Sequence, residues 1–462
     1  MDPLSLSTLA EYANGSITSG DPTTVITRIS TDSRTLQPGD LFVPIRGDNF
    51  DGHRFVEQAA QRGAAGALVE QSWTGNVPPT FAIIRVADTL IAYQQIAAGY
   101  RRALPLQVIA ITGSNGKTST KDFVAAALGR RFRVTKTEGN FNNHVGLPRT
   151  ILEANSQHQI AVWELGMNHP GEIAPLAAIA QPDAAVITNI GIAHIEFMGS
   201  QEAIAQEKGE LAVAVGANGT VVLNADDRFS ESMARRTKAK IVLAGTNNGT
   251  LRATEISQTV SGSEFTILEG AHRCRAQLPV AGLHMVQNAM LAVAAGRAFG
   301  LSLEDCAAGL ASAPLTKARL QLRDINGVQV LDDSYNANPD SMKAALRTLV
   351  ELETEGRRVA VLGAMGELGS ESARGHREVG EAAAAFRIDQ LVTVGELGDE
   401  IAAAARAAGL ENVVNVTTTT EAAEFLASTI RAGDLVLVKG SRSARMERVL
   451  DEWSNQQPAI AR

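Results

Sequence analysis

The sequence predicts an α/β protein with three domains, and two observations carry this prediction. From Gln107 onwards, short apolar runs of the kind that form buried parallel strands alternate with helical stretches. After Pro314 a new series of such runs begins, and a chain of 462 residues is too long to fold around one core. We therefore predict a small α/β N-terminal domain at residues 1–85, a central parallel-sheet domain at 86–314 and a Rossmann-like, doubly wound C-terminal domain at 315–462.

The composition excludes several classes of function. Lys and Arg total 42 and Asp and Glu total 50, so the formal charge of −8 gives no general attraction to nucleic acid or anionic membranes. Aromatic residues make up 4%, too few for platforms that stack single-stranded bases. Two cysteines form no disulfide framework, and neither a signal peptide nor an apolar run of about 20 residues is visible. We expect a cytoplasmic protein without a membrane span or a nucleic-acid partner.

The N-terminal domain is expected to alternate short strands with helices. Its predicted elements are strands at 25–29, 40–45 and 66–69 and a helix near 54–62. Loops carry the sequences Asp32-Ser-Arg34 and Asp51-Gly-His53. A helix from about Thr89 to Arg102, closed by Pro105, links this domain to the next.

The central domain contains a phosphate-loop pattern. Its strands are predicted at 108–111, 160–163, 185–188, 220–223 and 241–243. The first strand runs into Thr112-Gly-Ser-Asn-Gly-Lys-Thr118, which opens an amphipathic helix. This order places backbone N–H groups, a helix N-terminus and a lysine around one point, as a triphosphate needs, and the hydroxyl of Thr118 can reach the nucleotide's magnesium ion. The sequence thus predicts a P-loop-type ATPase domain, although Ile111 stands where the usual motif has its first glycine.

Three of these strands end in polar residues. Glu164 follows the second strand, Asn189 the third and Asn224-Ala-Asp-Asp227 the fourth. Ligands of open α/β sheets bind beyond the carboxyl ends of the strands, so these residues are expected to converge on the nucleotide. Glu164 is a natural magnesium ligand beside Thr118, and a solvated strand-end charge is the alternative.

Several other polar positions have two interpretations. His194, just past a strand, could ligate a second metal or orient a phosphate, whereas a lone histidine is more often structural. The charged neighbours of Lys208 predict an exposed helical lysine. His284 and Asn288 stand four residues apart on one helix face, where they could meet an adenine edge or cap a turn.

The C-terminal domain has polar or glycine-rich segments after two of its strands. The strands are predicted at 328–331, 358–362, 390–394, 412–416 and 434–438. The dense polar residues of Asp333–Pro339 suggest a ligand contact, though a turn could also use them. Gly363–Gly369 is only weakly similar to a dinucleotide loop, because its glycine spacing differs from the usual pattern.

With these motifs the chain resembles the Mur ligase family from about Asp32 to Glu447. The shared motifs are Thr112–Thr118, Glu164 before Gly166, Asn189 with His194, and His284 with Asn288. Further segments resemble the branch that adds D-alanyl-D-alanine to UDP-N-acetylmuramoyl-tripeptide, namely Gly139–Pro148, Glu164–Gly171, Asp333–Pro339, Glu367–Gly369 and Val438–Arg442. The resemblance implies an ATP-dependent amide ligase that makes a peptidoglycan precursor through an acyl phosphate.

The resemblance also implies where ATP would bind. The loop and helix start would hold the nucleotide through Gly113, Ser114, Asn115, Gly116, Lys117, Thr118 and Ser119. Lys117 would contact the β- and γ-phosphates, Asn288 the adenine and Asp333 the ribose, while Arg319 would reach the γ-phosphate from the C-terminal domain. Because Arg319 lies on another domain, we expect an open and a closed form of the protein.

Two magnesium ions are implied in the same way. Thr118 and Glu164 would bind one ion, and His194 would bind the second with a carbamylated Lys208. Carbamylation turns an ammonium into a carboxylate-like anion, which suits a hard cation and would overturn the exposed interpretation of Lys208. The implied catalytic residues are Lys117, Glu164, His194, Lys208 and Arg319.

The implied substrates are UDP-N-acetylmuramoyl-tripeptide and D-alanyl-D-alanine, acted on by a monomer. In the N-terminal domain the UDP-sugar end would meet Ser33, Arg34, Asp51, Gly52 and His53. Elsewhere the implied substrate-binding residues are Asn140, Asn142, Asn143, Asn336 and Asn338. The chain departs from residues common in the family at Met285, Ala318 and Ala364, which affects the adenine contacts most. Diaminopimelate and lysine both stay open as the third peptide residue.

Other functions also stay open. A ligase adding a single amino acid and a folate polyglutamate ligase belong to the same class, and Asp333–Pro339 argues against both. A dinucleotide-dependent oxidoreductase would use Gly363–Gly369. A non-catalytic nucleotide switch would bind ATP without forming an amide bond.

Overall fold

The computed structural model describes residues 1–47 and 49–456 and contains three main sheets flanked by helices. The helices are Leu6–Tyr12, Val56–Gln61, Thr89–Ala103, Lys117–Leu128, Gly146–Glu153, Ile173–Ala180, Ile195–Met198, Gln201–Ala214, Ser230–Ala234, Leu283–Ala298, Leu303–Ala311, Pro339–Glu351, Ser372–Ala385, Gly398–Ala407, Thr419–Thr429 and Glu447–Ser454. Short 3₁₀ turns occur at Gly52–Phe55, Gly369–Glu371 and Arg442–Ala444. Within the described residues, no helix has the length and apolar character needed to cross a membrane.

The first sheet has five strands, and its predicted elements are only partly accurate. In spatial order the strands are Ser16–Ser19, Ala82–Val86, Gly66–Glu70, Leu41–Phe42 and Ile29–Ser30, with only the first pair antiparallel. The strand predicted at 40–45 shortens to Leu41–Phe42, and Pro44, which has no N–H to donate, follows closely. The strand predicted at 25–29 is split into Val25–Ile26, which pairs with Leu4–Ser5, and Ile29–Ser30. A further small hairpin pairs Arg46–Gly47 with Phe50–Asp51.

The central sheet has nine strands, and the five that the sequence predicts are confirmed. Their spatial order is Val134–Lys136, Ile160–Glu164, Gln107–Thr112, Ala184–Ile187, Thr220–Asn224, Lys240–Gly245, Leu251–Thr259, Gly262–Glu269 and His272–Leu278. The last three form an antiparallel extension that the sequence analysis missed. Leu251–Thr259 alternates between buried and more exposed residues, as a half-solvated strand does, and so lacks the continuous apolar run that predicts a buried parallel strand.

The third sheet has six strands with helices on both faces, as predicted. Its order is Gln321–Ile325, Val328–Asp333, Leu435–Lys439, Arg358–Leu362, Gln390–Val394 and Val413–Val416, and all but the first pair are parallel. Along Arg358–Leu362, Val359 and Val361 pack into one core while Ala360 and Leu362 pack into another. This alternation follows from the two-residue repeat of a strand that is buried on both faces.

Continuous cores join neighbouring sheets and so place the site. Leu291 of the central helix Leu283–Ala298 and Leu346 of the C-terminal helix Pro339–Glu351 belong to one apolar cluster. Ile96 of the helix Thr89–Ala103 and Leu176 share a second cluster with the first sheet. The carboxyl ends of the central strands therefore face the C-terminal sheet across a cleft.

Candidate active site

A cavity of about 1700 Å³ lies between the central and C-terminal sheets and contains most of the residues singled out in the sequence. It is lined by Ser114, Asn115, Gly116, Lys117, Thr118, Ser119, Asn140, Asn142, Asn143, Glu164, Asn189, His194, Asn224, His284, Asn288, Arg319, Asp333, Asn336 and Asn338, among others. The strand-end residues Glu164, Asn189 and Asn224 line this one cavity, whereas Asp226 and Asp227 do not, and nucleotide contacts of the three stay predictions. Parallel strands bring their carboxyl ends to one edge, which is why residues far apart in sequence meet here.

The phosphate loop is built by the glycines and by a clamp on Asn115. Gly116 has a left-handed backbone with φ of 79° and caps the helix Lys117–Leu128. The carbonyl of Asn115 accepts hydrogen bonds from Thr188 Oγ1 at 2.5 Å and Asn189 Nδ2 at 3.1 Å, and its N–H donates to Asn189 Oδ1 at 3.0 Å. The loop is thus held open around the helix N-terminus, the geometry that favours an anion.

Replacing Gly113 by Ala should weaken nucleotide binding. Gly113 has φ of 150°, and a Cβ there would collide with Thr188 Oγ1, one of the groups that clamp the loop. We expect ADP affinity, measured by titration calorimetry, to fall about tenfold or more. Gly216→Ala is the matched control because nothing lies within 4 Å of its Cβ position. Equal affinities of the Gly113→Ala variant and the wild type would contradict the assigned role of the loop.

Lys117, Thr118 and Glu164 form a group of charged and polar side chains that line the cavity. Lys117 Nζ donates to the carbonyl of Gly113 at 2.8 Å, and Thr118 Oγ1 donates to Glu164 Oε2 at 3.4 Å. Burial lowers the pKa of Lys117, an effect that Glu164 opposes. Glu164 is 1% exposed, and its Oε1 accepts no hydrogen bond in the structure.

The oxygen donors at this point fit a magnesium ion. A buried carboxylate oxygen without a hydrogen-bond partner lies beside the Thr118 hydroxyl, and Mg²⁺ prefers oxygen ligands. Among residues 1–47 and 49–456, no group of three or more His, Cys, Asp or Glu side chains is arranged to hold a metal. Nucleotide-borne magnesium usually takes one or two protein ligands and the phosphates, which this donor set allows.

A buried charged cluster beneath the loop was missed by the sequence analysis. Lys121 is 2% exposed, donates to the carbonyl of Thr137 at 2.8 Å and lies 3.7 Å from Glu164 Oε1. The next residue, Asp122, accepts from Lys136 Nζ at 2.6 Å. Both charges directly follow Thr118–Thr120 in the helix, so the only sequence signal was a Lys-Asp pair directly before the apolar residues Phe123 and Val124.

The expectation that Lys208 is an exposed lysine is wrong. Its side chain is 1% exposed, in the helix Gln201–Ala214. Burial, together with the charge of Lys117, lowers the pKa of the Lys208 amine well below its ordinary value. The charged neighbours of Lys208 in the sequence predicted a solvent-exposed helix face. In the tertiary structure this part of the helix packs against the central sheet instead.

His194 meets the C-terminal half of the molecule. Its Nδ1 lies 2.6 Å from Glu367 Oε2, a close contact whose orientation does not give a well-directed hydrogen bond. Contact with His194 lowers the pKa of the Glu367 carboxyl. Both residues have left-handed backbones, with φ of 61° and 59°. Glu367 belongs to the glycine-rich segment Gly363–Gly369, so this segment faces a histidine of the central domain.

Three further contacts hold the two sheets together around the cavity. Asn338 Nδ2 donates to Asn115 Oδ1 at 2.7 Å, directly on the phosphate loop. Asp340 Oδ2 accepts from the N–H of Ile192 at 3.3 Å. A hydrogen bond between Thr316 and Asp122 is the third. The polar segment Asp333–Pro339 thus closes onto the loop, which the strand-end position alone did not reveal.

The C-terminal wall carries two cations. Asp333 accepts from Lys439 Nζ at 2.6 Å, and burial lowers the pKa of Lys439. The guanidinium of Arg319 stacks over the ring of Tyr335 with its Cζ 4.2 Å from the ring centroid. Arg319 Nε is buried and donates no hydrogen bond in the structure. Lys117, from the central domain, and Arg319, from the C-terminal part of the chain, thus line the same cavity.

His284 and Asn288 lie in the helix Leu283–Ala298, as predicted. Their surroundings in the structure differ. Asn288 packs against the phosphate loop, where a Cβ on Gly116 would lie 2.5 Å from Asn288 Oδ1. Burial lowers the pKa of His284 to about 4, so this ring is neutral at physiological pH. An adenine contact of Asn288 stays a prediction.

The structure does not bring the N-terminal candidates to this cavity. Arg34 pairs with Asp32 through Nε and Nη2, both at 2.9 Å, and its side chain is 86% exposed. This pairing lowers the pKa of Asp32 to about 2. His53 is buried, accepts from the N–H of Glu70 and lies 2.8 Å from Asp51 Oδ1. Roles for Ser33, Arg34, Asp51, Gly52 and His53 stay predictions.

Comparisons with known proteins agree along the whole chain. Residues 25–101 match the model described as Mur ligase family, catalytic domain, residues 111–296 the Mur ligase middle domain and residues 318–442 the Mur ligase, glutamate ligase domain. Over 447 residues the chain is 40% identical to UDP-N-acetylmuramoyl-tripeptide–D-alanyl-D-alanine ligase of Bacillus subtilis (strain 168), covering 96% of this chain and 97% of that protein. The chain belongs to the Mur ligase family.

Solved structures of relatives confirm the fold of this Mur ligase. A crystal structure of MurF from Acinetobacter baumannii is 35% identical and superimposes with a TM-score of 0.91, covering 99% of this chain and 100% of that one. MurF ligase from Thermotoga maritima in complex with ADP is 28% identical with a TM-score of 0.84, covering 92% and 97%. The predicted three-domain α/β architecture is confirmed, whereas the boundaries at 85 and 314 stay predictions.

Proposed function

We propose that this Mur ligase joins D-alanyl-D-alanine to UDP-N-acetylmuramoyl-tripeptide at the expense of ATP, giving the UDP-muramoyl pentapeptide, ADP and phosphate. The observation that carries the proposal is the meeting of Lys117, Thr118 and Glu164 with Arg319 and other C-terminal side chains in one cavity. The B. subtilis relative that spans almost the whole chain is named for this ligation.

The reaction must make a poor leaving group into a good one. The tripeptide carboxylate oxygen attacks the γ-phosphorus of ATP, the bond to the β-phosphate oxygen breaks and ADP leaves. The free amine of the dipeptide then attacks the acyl carbon of the acyl phosphate, a tetrahedral intermediate forms, and inorganic phosphate departs as the amine loses a proton. In such a reaction the protein supplies mainly positioning and charge stabilisation.

Lys117 and Arg319 supply this stabilisation from the two sides of the cavity. Lys117 Nζ donates to the Gly113 carbonyl, and with ATP bound it would contact the β- and γ-phosphates. Arg319, with its unpartnered Nε, would contact the γ-phosphate, and Asp333 the ribose. The loop Gly113–Ser119 would bind the remaining phosphate oxygens through backbone N–H groups.

Two magnesium ions would be held by this chain's oxygen and nitrogen donors. Bound magnesium neutralises charge between the phosphates and the incoming carboxylate. Thr118 and Glu164 would hold one ion. His194 and a carbamylated Lys208 would hold the other, since burial lowers the pKa of the Lys208 amine and so favours the uncharged form that adds carbon dioxide. His194 would then exchange its contact with Glu367 for the metal.

The remaining candidate residues are assigned to the substrates. In this proposal Ser33, Arg34, Asp51, Gly52 and His53 hold the UDP-sugar end, and the peptide segments lie along Asn140, Asn142, Asn143, Asn336 and Asn338. The last five line the cavity, whereas the first five lie outside it, so the UDP-muramoyl peptide would extend from the N-terminal sheet to the phosphate loop. The enzyme acts as a cytoplasmic monomer in this proposal.

Phosphate release tests the proposal directly. Purified protein is incubated with ATP, Mg²⁺ and UDP-N-acetylmuramoyl-tripeptide, with and without D-alanyl-D-alanine, and the product is weighed by mass spectrometry. We expect phosphate release only with both acceptors present, together with the pentapeptide mass. Release that is independent of the dipeptide, or that needs a single amino acid instead, would refute the assignment. Diaminopimelate and lysine tripeptides are compared in parallel.

A further inference from the structure

Arg319 occupies a strained segment that needs external support. The residues on either side of it, Ala318 and Leu320, both have left-handed backbones, with φ of 58° and 52°. L-residues with side chains rarely adopt this conformation unless the surroundings impose it. Arg319 lies between these two strained residues, and its side chain faces the cavity. The position of this side chain therefore depends on the contacts that hold Ala318 and Leu320.

Contacts within the C-terminal part of the chain hold the segment, including a hydrogen bond from the N–H of Ala318 to Gln321 Oε1 at 3.5 Å. The N–H of Leu320 donates to Asp333 Oδ1 at 3.2 Å, the N–H of Tyr335 donates to the carbonyl of Ala318 at 3.3 Å, and the guanidinium of Arg319 stacks on Tyr335. These contacts fix Arg319 relative to its own sheet. They do not fix it relative to the phosphate loop, which belongs to the central sheet.

One hydrogen bond ties the start of this segment to the phosphate-loop helix. Thr316 Oγ1 donates to Asp122 Oδ2 at 2.6 Å. Asp122 is 1% exposed and lies five residues after Lys117 in the helix Lys117–Leu128, so it is about 7.5 Å further along the axis. Its other oxygen, Oδ1, accepts from Lys136 Nζ at 2.6 Å, which holds the carboxylate in place.

We infer that Asp122 and Thr316 are positioning residues, which align Arg319 with Lys117 across the domain boundary. The carboxylate lies on the helix that carries Lys117, and the hydroxyl lies three residues before Arg319. Of the contacts that join the two sheets, this bond therefore acts nearest in sequence to Arg319. The inference deepens the proposed function and rests on it for its kinetic part. A bond that only stabilised the fold would change melting without changing how Arg319 acts on the bound phosphates.

Thr316→Val removes the hydroxyl and keeps the shape of the side chain. If Arg319 stabilises charge that develops during phosphoryl transfer, kcat should fall about tenfold to a hundredfold while KM for ATP changes little. Thr316→Ser keeps the hydroxyl and should restore most of the rate. Thr354→Val is the matched control, because Thr354 Oγ1 donates at 2.6 Å to Gly433 O away from the cavity. We expect this control to keep its kcat.

A double-mutant cycle separates positioning from stability. In an Arg319→Ala background the Thr316→Val change should have no further effect on kcat, because the group that it positions is absent. If the two losses multiply, Thr316 acts independently of Arg319 and the inference is wrong. Thr316→Ala serves as the second variant if Thr316→Val melts below the assay temperature.

Hydrogen exchange gives a readout that does not depend on turnover. In Thr316→Val the amides of Leu320 and Tyr335 should exchange faster than in the wild type, whereas those of the helix Lys117–Leu128 should not. Unchanged exchange at both amides, with kcat also unchanged, would overturn the positioning role even if the wild type forms the pentapeptide. If the wild type forms no pentapeptide, the proposed function fails, and the exchange comparison still tests the hydrogen bond.

Discussion

Replacing Lys117 by Met should lower the rate of amide formation by about a thousandfold. The ammonium of Lys117 is held at the mouth of the phosphate loop by the Gly113 carbonyl, at the N-terminus of a helix, where the cavity brings it opposite Arg319. Methionine keeps the length of the side chain but removes the charge and the donors. The phosphates would then lose the positive group nearest to the bond that breaks.

Steady-state phosphate release and ADP binding measure this effect. Both kcat and the affinity for ADP should fall, since Lys117 contacts the β-phosphate as well as the γ-phosphate in this proposal. Lys240→Met is the matched control, because Lys240 is exposed at the opposite end of a strand of the same sheet. A Lys117→Met enzyme that keeps more than about a tenth of wild-type kcat would exclude the phosphate role.

Replacing Lys208 by Met should lower the rate by at least about a hundredfold. The side chain of Lys208 is buried, and burial with the charge of Lys117 lowers its pKa well below the ordinary value. This shift favours the uncharged amine, the form that can add carbon dioxide, with loss of a proton, to form a carbamate. Since that step releases a proton, a lower pH should reduce the carbamate and with it the activity.

Carbon-13 NMR distinguishes the carbamate from a plain lysine. Wild-type enzyme equilibrated with ¹³C-bicarbonate should show a carbamate resonance that is absent from Lys208→Met. Lys238 is exposed, and Lys238→Met is the matched control that should keep the resonance. A missing resonance in the wild type, combined with full activity of Lys208→Met, would remove the modification from the mechanism.

Several features of the fold followed from local patterns in the sequence. The continuous apolar runs at 108–111 and 359–362 lie in parallel strands, because the part of a strand that is buried on both faces must be apolar. The half-solvated strand Leu251–Thr259 was missed, since its alternating residues leave a weaker signal. Short strands such as Leu41–Phe42 were predicted too long, because the length of a strand depends on pairing with partners that are distant in the chain.

The chemistry of the site divides in the same way. The phosphate loop could be read from Gly113–Thr118 alone, because a glycine turn, a helix N-terminus and a lysine are all local features. The burial of Lys208 could not, because neighbouring charges say nothing about which sheet packs over a helix. The Asp122–Thr316 bond joins residues 194 positions apart and leaves no local pattern.

By itself, the sequence determined the α/β class, the phosphate loop, the strand ends that carry Glu164 and Asn189, and the resemblance to the Mur ligases. Only the tertiary structure decided that Lys208 is buried, that Glu367 meets His194 and that Arg319 shares a cavity with Lys117. The physical reason is the separation along the chain of the residues that determine each feature. Backbone conformation and strand burial depend on residues a few positions apart, whereas burial of charge and contacts between domains depend on how separate sheets pack.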